Sequence, residues 1–185
     1  MGLQYQKLYL VVGAIILTVS NFVPVCAQSA LADRLEALRN AGPADALRLS
    51  REIERAWSQS GSTALDMLLR RGREATQNGQ LDIAIEHLTA LTDHAPDFAE
   101  GWHARATAFY MKGLFGPALD DLQRALALNP QNYNGLFGLG IILQELGDLR
   151  RAAQVFEQVL DLHPNHENAS KALEQLKRDG IGREL

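Results

Sequence analysis

The chain has 185 residues with 18 basic and 22 acidic side chains, a formal net charge of −4, and 46% apolar and 22% charged residues. These values are typical of soluble globular proteins, and they argue against a disordered chain, a multi-pass membrane protein and a basic nucleic-acid-binding protein. They are compatible with one compact domain or a short stack of repeats.

Residues 1–27 have the layout of a secretory signal peptide. Lys7 precedes an apolar run from Leu8 to Val19, and small residues at Val25 and Ala27 mark a cleavage site before Gln28. The sequence therefore predicts export and cleavage after Ala27. The alternative is that residues 8–27 are retained as a membrane anchor. The sequence favours this alternative less, because a transmembrane span needs about 20 apolar residues and the apolar run is shorter.

Residues 28–63 predict a helical hairpin. Leucines at helical spacing precede a break at Gly42-Pro43, and Leu49, Ile53 and Trp57 then form a stripe four residues apart on a second helix. We interpret this segment as a degenerate N-terminal repeat or cap of the units that follow. A separate mobile arm is the alternative.

Residues 65–166 repeat with a period of 34 residues. Three prolines recur at this interval, each after a helical pattern, and alanines and small residues recur between them. A glycine stands between the two helices of each unit, where it can end the first helix. The repeated positions are Pro96, Pro130 and Pro164; Ala84, Ala118 and Ala152; Gly72, Ala106 and Gly140; and Gly79, Gly113 and Gly147.

A 34-residue helix-turn-helix unit with this pattern, including Trp102 in the first helix of the second unit, resembles the tetratricopeptide-repeat (TPR) family. The resemblance implies an all-α fold, a right-handed superhelical solenoid of helical hairpins. Its parts would be repeats at 65–98, 99–132 and 133–166, an amphipathic capping helix at 167–179 and a tail at 180–185. Together with the signal layout, it favours the bacterial periplasm as the compartment.

The resemblance also implies a groove lined by the first helices of the repeats, in which family members hold peptides or partner helices. The matching positions outline a mixed wall that suits an amphipathic segment with an acidic end. Alternatively, Phe137 and Ile141 pack against the capping helix. The chaperone-binding branch has Lys and Asn where Leu69 and Arg73 stand here, so that specificity is not expected. The candidate groove residues are Arg73, His103, Thr107, Tyr110, Phe137, Ile141 and Gln144.

Signals for catalysis are weak. His166-Glu167 begins a His-Glu-x-x-His zinc pattern, but the fifth residue is Ser170, and His163 and His166 alone do not form a metal site. Asp120 and Asp121 are adjacent on a helix, so we expect a solvated acidic face.

Removal of the signal also removes Cys26, the only cysteine, and with it disulfide, thiolate-zinc and thiol chemistry. The sequence thus predicts a non-catalytic interaction module without metal or cofactor, which binds another protein and no nucleic acid. It would contact a membrane only if its leader is retained. The alternative function is a membrane-tethered envelope assembly factor. An enzyme with a cryptic site is the function that the sequence favours least.

Overall fold

A computed structural model describes residues 25–178, and this part of the chain consists of nine α-helices and no strand. The predicted signal core and the predicted tail at 180–185 lie outside the described residues. The helices are α1 (Val25–Arg39), α2 (Pro43–Trp57), α3 (Thr63–Gln77), α4 (Leu81–His94), α5 (Ala99–Met111), α6 (Phe115–Leu128), α7 (Tyr133–Glu145), α8 (Leu149–Leu162) and α9 (Glu167–Leu176).

Helices α3 to α8 form three stacked hairpins, in which each first helix packs on the helix that follows it and each second helix packs on the next hairpin. The turn inside each hairpin contains a glycine in the left-handed region, with φ of 71° at Gly79 and 79° at both Gly113 and Gly147. A side chain would strain this conformation, which explains the repeated glycine. The prediction of an all-α solenoid of helical hairpins is confirmed.

Small residues allow the two helices of a hairpin to approach closely. Ala84, Ala118 and Ala152 are each fully buried. A Cβ atom added to Gly140 would overlap the ring of Phe156, whose Cδ1 would lie 2.8 Å away. The space between the paired helices is therefore too small for larger side chains, which explains the recurring alanines and the glycine at this crossing.

Replacing Gly140 by alanine is expected to destabilise the protein by about 1–3 kcal/mol, because the added methyl group must displace the buried ring of Phe156. Gly138→Ala is the matched control on the same helix, since its Cβ would lie 3.8 Å from Leu122 in ordinary contact. There the gain in helix propensity should raise stability by up to about 1 kcal/mol. Urea denaturation measures the stability of both variants. Equal changes in stability for Gly140→Ala and Gly138→Ala would contradict the close helix crossing at Gly140.

The helical hairpin predicted for residues 28–63 is formed by α1 and α2, and its buried apolar residues join those of the third repeat and α9 rather than those of the first repeat. Helix α1 packs on α8, and α2 contributes to a hydrophobic cluster with the third repeat and α9. The buried apolar residues of the first repeat form a separate cluster with no member from the hairpin. The buried residues of the first cluster include Leu38, Ile53, Tyr133, Phe156 and Leu176.

Tyr133 anchors the hairpin to the repeats. Its ring is 1% exposed and lies 5.1 Å from the ring of Trp57, between centroids. Its hydroxyl donates to Glu54 Oε1 at 3.2 Å and lies 3.4 Å from the backbone oxygen of Ser50. Burial, and next the Glu54 carboxylate, raise the pKa of Tyr133, so its hydroxyl keeps its proton and remains a donor.

A hydrogen bond also connects the turn of the hairpin to the turn between α8 and α9. Asn165 Nδ2 donates it to the backbone oxygen of Ala41 at 2.8 Å. Beside it, His163 is buried, and burial together with the neighbouring His166 lowers the pKa of His163 to about 4. His163 is therefore neutral at physiological pH, which suits its apolar surroundings. The hairpin thus braces the last repeat and the capping helix.

Helix α1 begins at Val25, so the predicted cleavage point before Gln28 falls within its first turn. Over residues 25–178, no helix combines the length and the apolar character that a membrane crossing requires.

Candidate functional site

Most of the predicted groove residues lie around a cleft between α5 and α7, which Leu122 of α6 also lines. The cleft has a volume of about 250 Å³ and is lined mainly by apolar atoms. Five of the seven candidate groove residues line it, namely His103, Thr107, Tyr110, Phe137 and Ile141. Helical spacing places them together, because residues three or four apart share one face of a helix.

Phe137 takes part both in the cleft and in the protein core. Its ring centroid lies 5.7 Å from that of Phe156 and 5.0 Å from that of His166 in the turn before α9. Ile141 is likewise half-buried against the same cluster. Tyr110 packs on Phe115, with 5.8 Å between centroids. The cleft wall is therefore held in place by internal packing while part of each ring stays accessible.

Arg73 does not line this cleft, and its guanidinium is already paired within the protein. Its guanidinium forms an ion pair with Glu100 and donates to Ser58 Oγ at 2.9 Å. Glu100 is 6% exposed, and it also contacts His103 Nδ1 at 3.1 Å and accepts from Asn132 Nδ2 at 3.2 Å. Burial alone would raise the pKa of Glu100, but His103, Arg73 and Asn132 together hold it below its ordinary value. The charge of Arg73 is thus neutralised by a buried carboxylate.

A second cleft, of about 520 Å³, opens beside the first, between α2 and the first helices of the repeats. His103 and Asn134 line both clefts, so the two are contiguous. The residues that α2 contributes to this cleft are not among those predicted from the sequence. They are Arg51, Glu54, Arg55 and Trp57.

Thr107 and Gln144 differ in their surroundings. The hydroxyl of Thr107 donates to the backbone oxygen of His103 at 3.0 Å, and the residue is exposed at the edge of the cleft. Gln144 does not line either cleft. Its Oε1 is buried and has no hydrogen-bond partner among the residues that the structure describes.

The expectation of a solvated acidic pair on α6 is wrong for Asp121, although Asp120 is exposed. Asp121 is 4% exposed and accepts two hydrogen bonds from Arg105, from Nε at 2.7 Å and from Nη2 at 2.9 Å. Arg105 occupies the first-helix position that Leu139 fills in the third repeat. Arg71 occupies the same position in the first repeat and is exposed, so an arginine at this position does not by itself reveal the buried pair.

The recurring positions of the repeats have structural roles. The indole of Trp102 donates to the backbone oxygen of Pro96 at 2.9 Å, and the guanidinium carbon of Arg105 lies 4.9 Å from the Trp102 ring centroid. Pro96, Pro130 and Pro164 lie in the turns that lead into the next first helix. These contacts hold the turns between hairpins in place, and they do not involve the side chains that line the cleft.

His163 and His166 pack edge to face, with ring centroids 5.5 Å apart, and His166 Nδ1 accepts from the backbone nitrogen of Ala169. Both histidines are therefore used in packing and in capping α9. Within residues 25–178, no three His, Cys, Asp or Glu side chains gather into a metal site.

Comparisons with known proteins agree with this architecture. Two tetratricopeptide-repeat family models match residues 69–133 and 109–176. A TPR repeat-containing protein of Rhizobium etli is 26% identical over 138 residues, which cover 75% of this chain and 68% of that protein. By contrast, a match to the CTR9 homolog of Arabidopsis thaliana, 30% identical, spans 56% of this chain but only 10% of that protein.

Among solved structures, the first TPR domain of Spaghetti (RPAP3), bound to an HSP90 peptide, is similar with a TM-score of 0.61 and 27% identity. The alignment covers 64% of this chain and 94% of that domain. The family models together span more than half of the 185 residues, over the three stacked hairpins and α9. The chain therefore belongs to the tetratricopeptide-repeat family.

Proposed function

We propose that this protein is a non-catalytic adaptor whose apolar cleft binds an amphipathic peptide or helix of a partner protein. The observation that carries this proposal is the convergence of Tyr110, Phe137 and Ile141 on one accessible cleft, held in shape by packing behind it. Aromatic and aliphatic side chains around a preformed cleft suit an apolar anchor residue. The peptide held by the similar RPAP3 domain supports the same class of ligand.

The proposal includes export to the cell envelope, in the bacterial periplasm, after cleavage of residues 1–27. The order of basic residue, apolar run and small residues before Gln28 supports it. The alternative is a membrane-tethered assembly factor that keeps residues 8–27. N-terminal sequencing of the protein recovered from the cell envelope separates the two, since a first residue of Gln28 means cleavage and a first residue of Met1 means retention.

The double variant Tyr110→Ala with Phe137→Ala is expected to abolish partner binding, because it removes both rings from the cleft. Affinity capture from envelope extracts with quantitative mass spectrometry measures the loss. Helix content at 25 °C should be retained, although Phe137 also packs on Phe156 and its loss should lower the melting temperature.

Met111→Ala with Leu146→Ala is the matched control, since these side chains are 51% and 54% exposed and lie outside the cleft. A second variant, Ile141→Glu, places a charge in the cleft by another route. Undiminished capture by both cleft variants would overturn the proposed site.

A further inference from the structure

We infer that the N-terminal hairpin forms the cationic wall of the partner site, and that the bound segment carries carboxylates directly beside its apolar anchor. This inference rests on the proposed function and specifies its ligand. The residues that carry it are Arg51 and Arg55 of α2, which border the second cleft. They are four residues apart and so project from the same face of the helix.

The arginines of the hairpin fall into two groups. Arg34, Arg39 and Arg48 each form an ion pair with a carboxylate of the hairpin itself. Within residues 25–178, neither Arg51 nor Arg55 has an ion pair or a side-chain hydrogen bond, and both are exposed. Of the arginines in the hairpin, the two that border the second cleft are therefore the two without an ion-pair partner in the described part of the chain.

The two acidic groups that line the second cleft, Glu54 and Glu100, both have hydrogen-bond partners, but only Glu100 is paired with a cation. Glu100 is buried against Arg73 and His103. Glu54 accepts hydrogen bonds from the Tyr133 hydroxyl and from Asn134 Nδ2, the latter at 3.0 Å. Because both of those donors are neutral, Glu54 keeps its negative charge and offsets one of the two arginines, Arg51 and Arg55. Arg73 is paired with Glu100, so the described residues of the second cleft keep one positive charge in excess, which an anionic group of a ligand would balance.

The positions of the two clefts indicate that the apolar and the acidic residues of the ligand adjoin each other. Because His103 and Asn134 line both, a single extended or helical segment can reach from the apolar cleft to the two arginines. Guanidinium groups bind carboxylates through paired hydrogen bonds, and an adjoining apolar cleft suits amino-acid side chains. We therefore expect an acidic peptide segment, with aliphatic or aromatic residues followed or preceded by Asp or Glu.

Selection from a random dodecapeptide library displayed on phage tests this ligand directly, because the library contains acidic, basic and neutral peptides alike. The full chain should enrich peptides in which apolar residues adjoin Asp or Glu. Arg51→Gln with Arg55→Gln should enrich apolar residues without the acidic ones. The matched control, Arg70→Gln with Arg150→Gln, removes the same charge from exposed positions outside both clefts and should select the same peptides as the unaltered chain.

A selected peptide and its Glu→Gln counterpart are then compared by fluorescence anisotropy. The unaltered chain and the control should prefer the acidic form by roughly 10-fold, a preference that Arg51→Gln with Arg55→Gln removes. The preference should also shrink as the salt concentration rises from about 0.05 M to about 0.5 M, because exposed charges are screened.

The outcomes separate this inference from the proposed function. If the arginine variant selects as many acidic residues as the unaltered chain, the inference is wrong while the apolar cleft remains the site. If apolar selection persists in Tyr110→Ala with Phe137→Ala, the proposed function is wrong. If the unaltered chain enriches no peptide, both are wrong.

Discussion

Replacing Ile53 by aspartate is expected to detach the α1–α2 hairpin and to lower the free energy of unfolding by about 3–5 kcal/mol. Ile53 is 0% exposed and lies in the cluster shared with Tyr133 and Phe156. A carboxylate there would be buried among apolar side chains without a compensating charge. Urea denaturation gives the loss of stability, and hydrogen exchange shows where protection is lost.

Leu47→Asp is the matched control, because Leu47 lies on the same helix but is 55% exposed. Its effect should stay within about 0.5 kcal/mol. Amide protection in Ile53→Asp should disappear across α1 and α2 and persist in α3 to α6, whose buried residues belong to other clusters. Uniform loss of protection over the whole chain would show instead that the hairpin and the repeats unfold as one unit.

Replacing Asp121 by alanine is expected to destabilise the protein by about 3–5 kcal/mol, because Arg105 would keep a buried charge without its partner. The side chains of Arg105 and Asp121 are 14% and 6% exposed. Thermal and urea denaturation measure the effect. The neighbour Asp120 is exposed, so Asp120→Ala provides a control that should change stability by less than about 0.5 kcal/mol.

A double replacement, Arg105→Leu with Asp121→Leu, should recover most of the stability, since an apolar pair of similar volume often equals a buried ion pair. It also places at position 105 the leucine that the third repeat has at the matching position, Leu139. If the double variant is less stable than Asp121→Ala, the hydrogen bonds from Arg105 Nη1 to Thr89 and Thr92, at 3.2 and 2.9 Å, matter more than the burial of the ion pair.

The repeats could be predicted from the sequence because each is specified locally. The prolines in the turns, the glycines at positive φ and the small residues at the helix crossings each meet a requirement within one hairpin. Their recurrence every 34 residues therefore predicts the stack. The repeat positions also predict that Tyr110, Phe137 and Ile141 share one cleft, because a repeat position fixes the helix face on which a residue lies.

The position of the hairpin could not be predicted, because an apolar stripe indicates that a face is buried but not what buries it. Leu49 and Ile53 are compatible with packing on the first repeat or on the third, where they lie. Tyr133 distinguishes the two, since it pairs with residues some 80 positions earlier, and no local pattern reveals such a pair. For the same reason, Arg51 and Arg55 were not among the candidate site residues.

The contact between Asn165 and Ala41 joins residues 124 positions apart, and it affects the order of events during synthesis. At the usual elongation rate of about 5–20 residues per second, the ribosome needs roughly 6–25 s to proceed from one residue to the other. Throughout that interval, α2 can pack on α1 but lacks its partners in α9, while the first repeats can already fold. The nascent chain therefore keeps part of the apolar surface of α2 exposed until its last helices emerge, and exposed apolar surface of this kind favours aggregation.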